Sequence, residues 1–125
     1  MRNISFALTT QQIRDRTKTV TRRLGWKNLK PGTLLCGVVK GMGLKPGEEV
    51  ERLAIIRVKH VDREPLIAMT YPLCPRSIGE DEAEREGFPG MSGRQFVNMF
   101  CDHMGCKEDT EVTRIEFEYI PGGRF

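Results

Sequence analysis

The chain has 125 residues, 38% hydrophobic and 30% charged, with 20 Lys/Arg against 17 Asp/Glu. That length suits one compact domain with a core that needs no disulfide staple, and the composition excludes disordered, fibrous and helical membrane-spanning proteins. No segment reads as a targeting peptide, so a cytoplasmic location is expected, with Cys36, Cys74, Cys101 and Cys106 as reduced thiols. The charge is uneven. Residues 1–47 hold ten Lys/Arg and one acid, Asp15, whereas residues 48–125 hold ten Lys/Arg and sixteen acids. Such asymmetry points to an anionic partner, nucleic acid or a phosphorylated ligand, unless the two halves neutralise each other across the fold.

Taken in chain order, Ile4 to Leu8 alternates and predicts a strand with Ile4, Phe6 and Leu8 on one face. Thr9 and Thr10 are cap candidates for a short helix over Gln11–Arg16, and Thr17–Leu24, rich in β-branched residues, predicts a second strand. The turn signal Lys30-Pro31-Gly32 precedes a third strand, Thr33–Val39. A glycine-rich loop at 41–47 follows, then a long strand over Leu53–Val61 and a helical turn at Pro65–Met69. Pro72 and Pro75 make Tyr71–Ser77 irregular. Glu80–Glu86 favours helix, its acids defaulting to an exposed face. Ser92 caps a second long helix with Phe96, Val97, Phe100 and Met104 at helical spacing, ended by Gly105, and Thr110–Ile120 is the last strand. Strands with segregated helices predict an α+β fold, here a small barrel or strongly curved sheet.

Chemistry concentrates between Arg14 and Lys30, where seven basic residues (Arg14, Arg16, Lys18, Arg22, Arg23, Lys27, Lys30) face one acid. Strand alternation puts Thr19, Thr21 and Arg23 on one face, hydroxyls beside a guanidinium, a surface suited to phosphate or a nucleobase edge. The plainer reading is a solvated edge strand. Trp26, between Arg23 and Lys27, is placed to stack a base or to sit half-buried in the core. Cys101, His103 and Cys106 invite a zinc reading, but the further ligands Cys36 or Cys74 would have to arrive through the fold, so core packing is preferred for Cys101 and no metal is assigned.

Lys18-Thr19-Val20-Thr21-Arg22-Arg23, after a strand and a short helix, resembles the signature of the ASCH domain, of the PUA-like superfamily. Leu29 to Leu35, Ile55-Ile56-Arg57-Val58, Glu64-Pro65-Leu66, Glu84-Arg85-Glu86-Gly87-Phe88, Phe96 to Phe100 and Ile115-Glu116-Phe117 extend the resemblance over nearly the whole chain. It implies a single ASCH domain over residues 1–125, a small PUA-like β-barrel with short flanking helices, and a role with RNA or a modified nucleoside. One bacterial branch removes the acetyl group from N(4)-acetylcytidine with a lysine, a threonine three residues on and a glutamate. Carried over by motif these are Lys18, Thr21 and Glu86, with Thr19, Arg22, Arg23, Trp26 and Lys27 as substrate- or RNA-binding residues, and no cofactor, membrane or obligatory protein partner. Other ASCH members imply an RNA-binding module or a ribonuclease using the same basic cleft.

The residue types suit amide hydrolysis, which needs a nucleophile, a base for its proton and an acid for the leaving amine. Two physical conditions follow. Lys18 serves as base only if burial and neighbouring arginines lower its pKa from roughly 10.4. Residues three apart lie on opposite faces of a regular strand, so Lys18 must precede the strand if it is to meet Thr21.

Overall fold

The computed structural model describes residues 1–71 and 79–124. Five strands form one mixed sheet in the order β1-β3-β4-β5-β2. They are β1 (Arg2–Ser5), β2 (Val20–Arg23), β3 (Leu34–Val38), β4 (Arg52–Pro65) and β5 (Glu111–Arg124). The helices are α1 (Thr10–Arg14), α2 (Gly79–Arg85) and α3 (Gly93–Met104), with a 3-10 turn at Leu66–Thr70. The irregular stretch expected at Tyr71–Ser77 lies, but for Tyr71, outside the described residues.

The long strands are as alternation demands, but β4 and β5 each run to fourteen residues and pair antiparallel through two register shifts. Those irregularities bend the sheet. The expected barrel does not close. β1 pairs only with β3 and β2 only with β5, leaving two four-residue edges. The Ser5 carbonyl on the first edge is taken by a side chain instead of a backbone N–H: Arg23 of β2 donates Nη2 to it at 2.5 Å. A guanidinium thus spans a seam where a closed barrel would have a ladder.

Two apolar clusters flank this sheet. Ile4, Phe6, Ile13, Leu35, Ile56, Ile115 and Phe117 form one, and Leu66, Met69, Phe96, Val97, Phe100 and Val112 the other. Each such side chain contributes about 1.5–3 kcal/mol on burial. Leu8 is not among them. β1 ends before it, and it stays 58% exposed. α3 begins with a reciprocal capping box between Ser92 and Gln95, and ends at Gly105, whose φ of 66° suits glycine. α3 carries Phe96 and Phe100 onto the second cluster, while Met104 at its last turn remains 43% exposed.

Candidate active site

The segment before β2 is pinned from three sides. The Thr17 N–H donates to the Gln12 carbonyl of α1 at 2.9 Å, and Tyr119 of β5 donates its hydroxyl to the Lys18 carbonyl at 2.6 Å. The Thr19 N–H donates to the Arg85 carbonyl at the end of α2, and the Thr19 carbonyl accepts from Phe117 N–H. Lys18 therefore lies at the junction, two residues before the strand begins, and the end of α2 is tied directly beside it. Gly87 turns the chain away there with a φ of 102°, and Gln12 Nε2 donates to its carbonyl at 3.0 Å. A Cβ at Gly87 would meet Gln12 Cγ at 3.1 Å.

This anchoring brings Lys18 to Glu86. Lys18 Nζ donates to Glu86 Oε1 at 2.8 Å and to the Glu86 carbonyl at 2.5 Å, with both side chains only 3% exposed. Burial pulls the Lys18 ammonium below its ordinary pKa; Glu86 opposes this, and Arg23 and Arg22 add to it.

Lys18, Thr21, Arg22, Arg23 and Glu86 line one cavity of about 220 Å³. Its floor is polar and its other wall is apolar, with Leu8, Phe88, Phe96, Met99 and Phe100 among the lining residues. His103 and Met104 complete the lining from the last turn of α3. The two arginines differ. Arg22 is locked, donating Nη1 to Glu86 Oε2 at 3.1 Å and Nη2 to Glu82 Oε1 at 2.5 Å. Its Nε is the one buried side-chain nitrogen or oxygen without a hydrogen-bond partner among the described residues, so its terminal nitrogens alone orient it. Arg23 is held by neutral acceptors, Thr21 Oγ1 at 3.0 Å and the Ser5 carbonyl, and its guanidinium lies 5.0 Å from the Phe6 ring centroid. Burial brings its pKa down to about 10, with Glu86 acting the other way.

The remaining candidates lie elsewhere. Thr19 is half-buried and serves the junction through its backbone. Trp26 and Lys27 line a separate, open depression of about 540 Å³ with Arg2, Asn28, Leu29 and Lys30. There the Arg2 guanidinium covers the Trp26 ring at 4.0 Å. Trp26 packs against the first cluster from a left-handed backbone, φ 53°.

Sequence reasoning placed the acids of 80–86 on an exposed face, and for Glu82 this is corrected. Its side chain is 1% exposed and accepts from Arg22 and from Arg114, Nε at 2.6 Å and Nη2 at 3.1 Å. Burial alone would raise its carboxyl; the bonds from Arg114 and the charge of Arg22 outweigh that and hold it at about 2. Arg114, also 1% exposed, was missed. Its register opposite Arg22 on β2 was not readable without the strand pairing.

The molecule is thus a small α+β fold with a lysine–glutamate pair buried in a cavity at the sheet seam. No family model matches the sequence, and no curated protein matches it. Solved structures do match in fold. An ASCH domain from Lactobacillus crispatus is 18% identical with a TM-score of 0.52, over 94% of this chain and 78% of its own. A Zymomonas mobilis ASCH protein is 12% identical with a TM-score of 0.51, over 94% and 66%. An Enterococcus faecalis protein of family model DUF984 is 14% identical with a TM-score of 0.58, over 95% and 79%. The chain has the fold of the ASCH domain. No helix among its described residues is long and apolar enough to cross a membrane.

Proposed function

We propose that this chain hydrolyses the amide joining an acyl group to the exocyclic amine of a modified cytidine or related nucleoside. The observation that carries the reading is the buried Lys18–Glu86 contact beside Thr21 in one cavity. The Thr21 hydroxyl attacks the acyl carbon, and neutral Lys18 takes its proton. Arg23 Nε, already donating to Thr21 Oγ1, stabilises the developing oxygen charge. Glu86 delivers a proton to the exocyclic nitrogen as the C–N bond breaks. That proton is the one Lys18 took from Thr21 and passed to Glu86. Lys18 is therefore neutral again when it deprotonates the water that cleaves the acyl-threonine ester, and Thr21 recovers its proton as it leaves. Lys18 Nζ and Glu86 Oε1, 2.8 Å apart, are within reach for the proton transfer between them. The resting hydrogen bonds direct Lys18 to Glu86 and Thr21 to Arg23, and the attack geometry tightens when substrate fills the cavity.

The test is chromatographic. Purified protein is incubated with N(4)-acetylcytidine and longer N(4)-acyl analogues, beside Lys18→Ala and Thr21→Ala. Release of cytidine by the wild type, reduced at least about 10²-fold in both variants, is expected. Turnover that survives Lys18→Ala sinks the mechanism.

A second reading, an RNA-binding module, is favoured by the open depression, where Trp26 stands among Arg2, Lys27 and Lys30. An aromatic face among cations suits single-stranded RNA, and its affinity would fall steeply with salt.

A further inference from the structure

We infer that Glu82 is a positioning residue that sets the proton affinity of Lys18 by holding Arg22 off the Glu86 oxygen that Lys18 uses. This rests on the hydrolase reading for its catalytic consequence, though not for its geometry. The two oxygens of Glu86 are divided: Oε1 takes Lys18, and Oε2 takes Arg22. Arginine prefers to grip one carboxylate with both terminal nitrogens. Arg22 does not, because its second nitrogen is held by Glu82 at 2.5 Å. Glu82 is itself shared, since Arg114 competes with Arg22 for the same oxygen, Oε1. Arg114 grips both of its oxygens from β5, and Arg114 Nη2 lies 3.5 Å from Glu116, which also accepts from Arg85 at 2.7 Å. The chain of contacts therefore runs from a partly exposed arginine on α2 through five buried or half-buried groups to the lysine.

Lys18 feels Glu86 at the end of α2 and Arg23 and Arg22 of β2 directly, and Arg22 in turn meets Glu82 of α2 and, at 4.0 Å, Glu64 of β4. Tyr119 of β5 bonds the Lys18 carbonyl, and His103 of α3 lines the same cavity. Burial keeps the Tyr119 hydroxyl protonated by raising its pKa, so it adds a donor and no charge. With Glu82 neutralised, Arg22 closes on both oxygens of Glu86, and Lys18 loses its counter-charge. The negative charge of Glu82 vanishes at the same time. Both changes make the ammonium less favourable, so its titration moves down.

The experiment reads Lys18 directly, by NMR titration of its ε-CH₂ and Nζ signals in the full chain, assigned with Lys18→Ala. Glu82→Gln should lower the Lys18 midpoint by about one pH unit. Arg114→Lys keeps the buried charge, gives Glu82 wholly to Arg22, and should move the midpoint up. Opposite signs from two variants of one network are not produced by general loosening of the fold. A midpoint unmoved in both variants, with only thermal stability lost, overturns the inference. If Glu82→Gln does not fold, the sign of the Arg114→Lys shift decides alone: a rise supports positioning, and no change or a fall overturns it. In turnover assays the acid limb of the kcat/KM profile should follow the NMR midpoint. Shifted midpoints in a protein that turns over no acyl-nucleoside would leave the positioning intact and sink only the hydrolase reading.

Discussion

The two ends of the basic segment 14–30 have the same composition and opposite physics. At one end Lys18, Arg22 and Arg23 line a cavity, and two of the three meet carboxylates; at the other, Lys27 and Lys30 stand exposed around Trp26. A charge run is conventionally read as a solvated face. Here two of its cations, Lys18 and Arg22, are buried because the acids of the second half of the sequence come to meet them. The net +9 of the first 47 residues is thus partly cancelled inside the fold. Arg14 meets Glu51 in the same way at the surface. Buried charges are costly to orphan, and exposed ones are screened by salt. Substitution and pH should separate the two ends cleanly.

The largest effect is expected at Arg114. Its removal by Arg114→Ala strips buried Glu82 of the arginine that grips both its oxygens and leaves it Arg22 as its close partner, at a cost of about 3 kcal/mol. Lys27→Ala, at the exposed end, should stay within about 0.5 kcal/mol of wild type. Urea unfolding at neutral pH measures both, and equal losses would dissolve the contrast.

Acid should act on the buried end alone. Glu82 titrates at about 2 in the folded chain, against roughly 4.3 when free. Its folded pKa is depressed, so its stabilisation is full above the unfolded value and is lost as pH falls from about 5 toward 2. The stability gap between wild type and Glu82→Gln should narrow over that window by roughly 3 kcal/mol. A gap independent of pH would mean that the carboxylate is not paired as described.

What the sequence revealed follows a physical line. The Ser92 cap and the Gly105 stop are local features and stand where capping places them, whereas strand ends shift: β1 covers Arg2–Ser5 and not Ile4–Leu8, and β2 covers Val20–Arg23 and not all of Thr17–Leu24. Lys18 had to precede β2 to reach Thr21's side of the strand, and it does. The barrel was not local. Closure depends on whether β1 and β2 meet, and the sequence of either edge says nothing of the Arg23–Ser5 bridge that replaces a ladder. Glu82 escaped for a similar reason. It and Glu86 are four apart on one helical face, but only the register Arg22↔Arg114 shows that this face meets two arginines. Trp26 and Lys27 were grouped with Lys18 because they are near in sequence. A turn at Gly25, φ 78°, carries them to another surface.

The smallest expected effects belong to that surface, and they decide between the two functional readings. Trp26 is the only tryptophan, so its fluorescence reports on the open depression without a label. If single-stranded RNA binds there, a base must displace Arg2 from the ring or stack against its free part, and the emission must change on titration. Each phosphate neutralised adds about 0.7 to the slope of log affinity against log salt. Lys27→Ala should then lower that slope by about 0.7 and weaken binding alike for every sequence, while leaving nucleoside turnover in the cavity unchanged. Emission that ignores RNA, in a protein that turns over an acyl-nucleoside, would favour a hydrolase whose basic surface has no ligand. A salt-dependent change that Lys27→Ala weakens would make the depression a nucleic-acid contact and leave the cavity to be judged by its own chemistry.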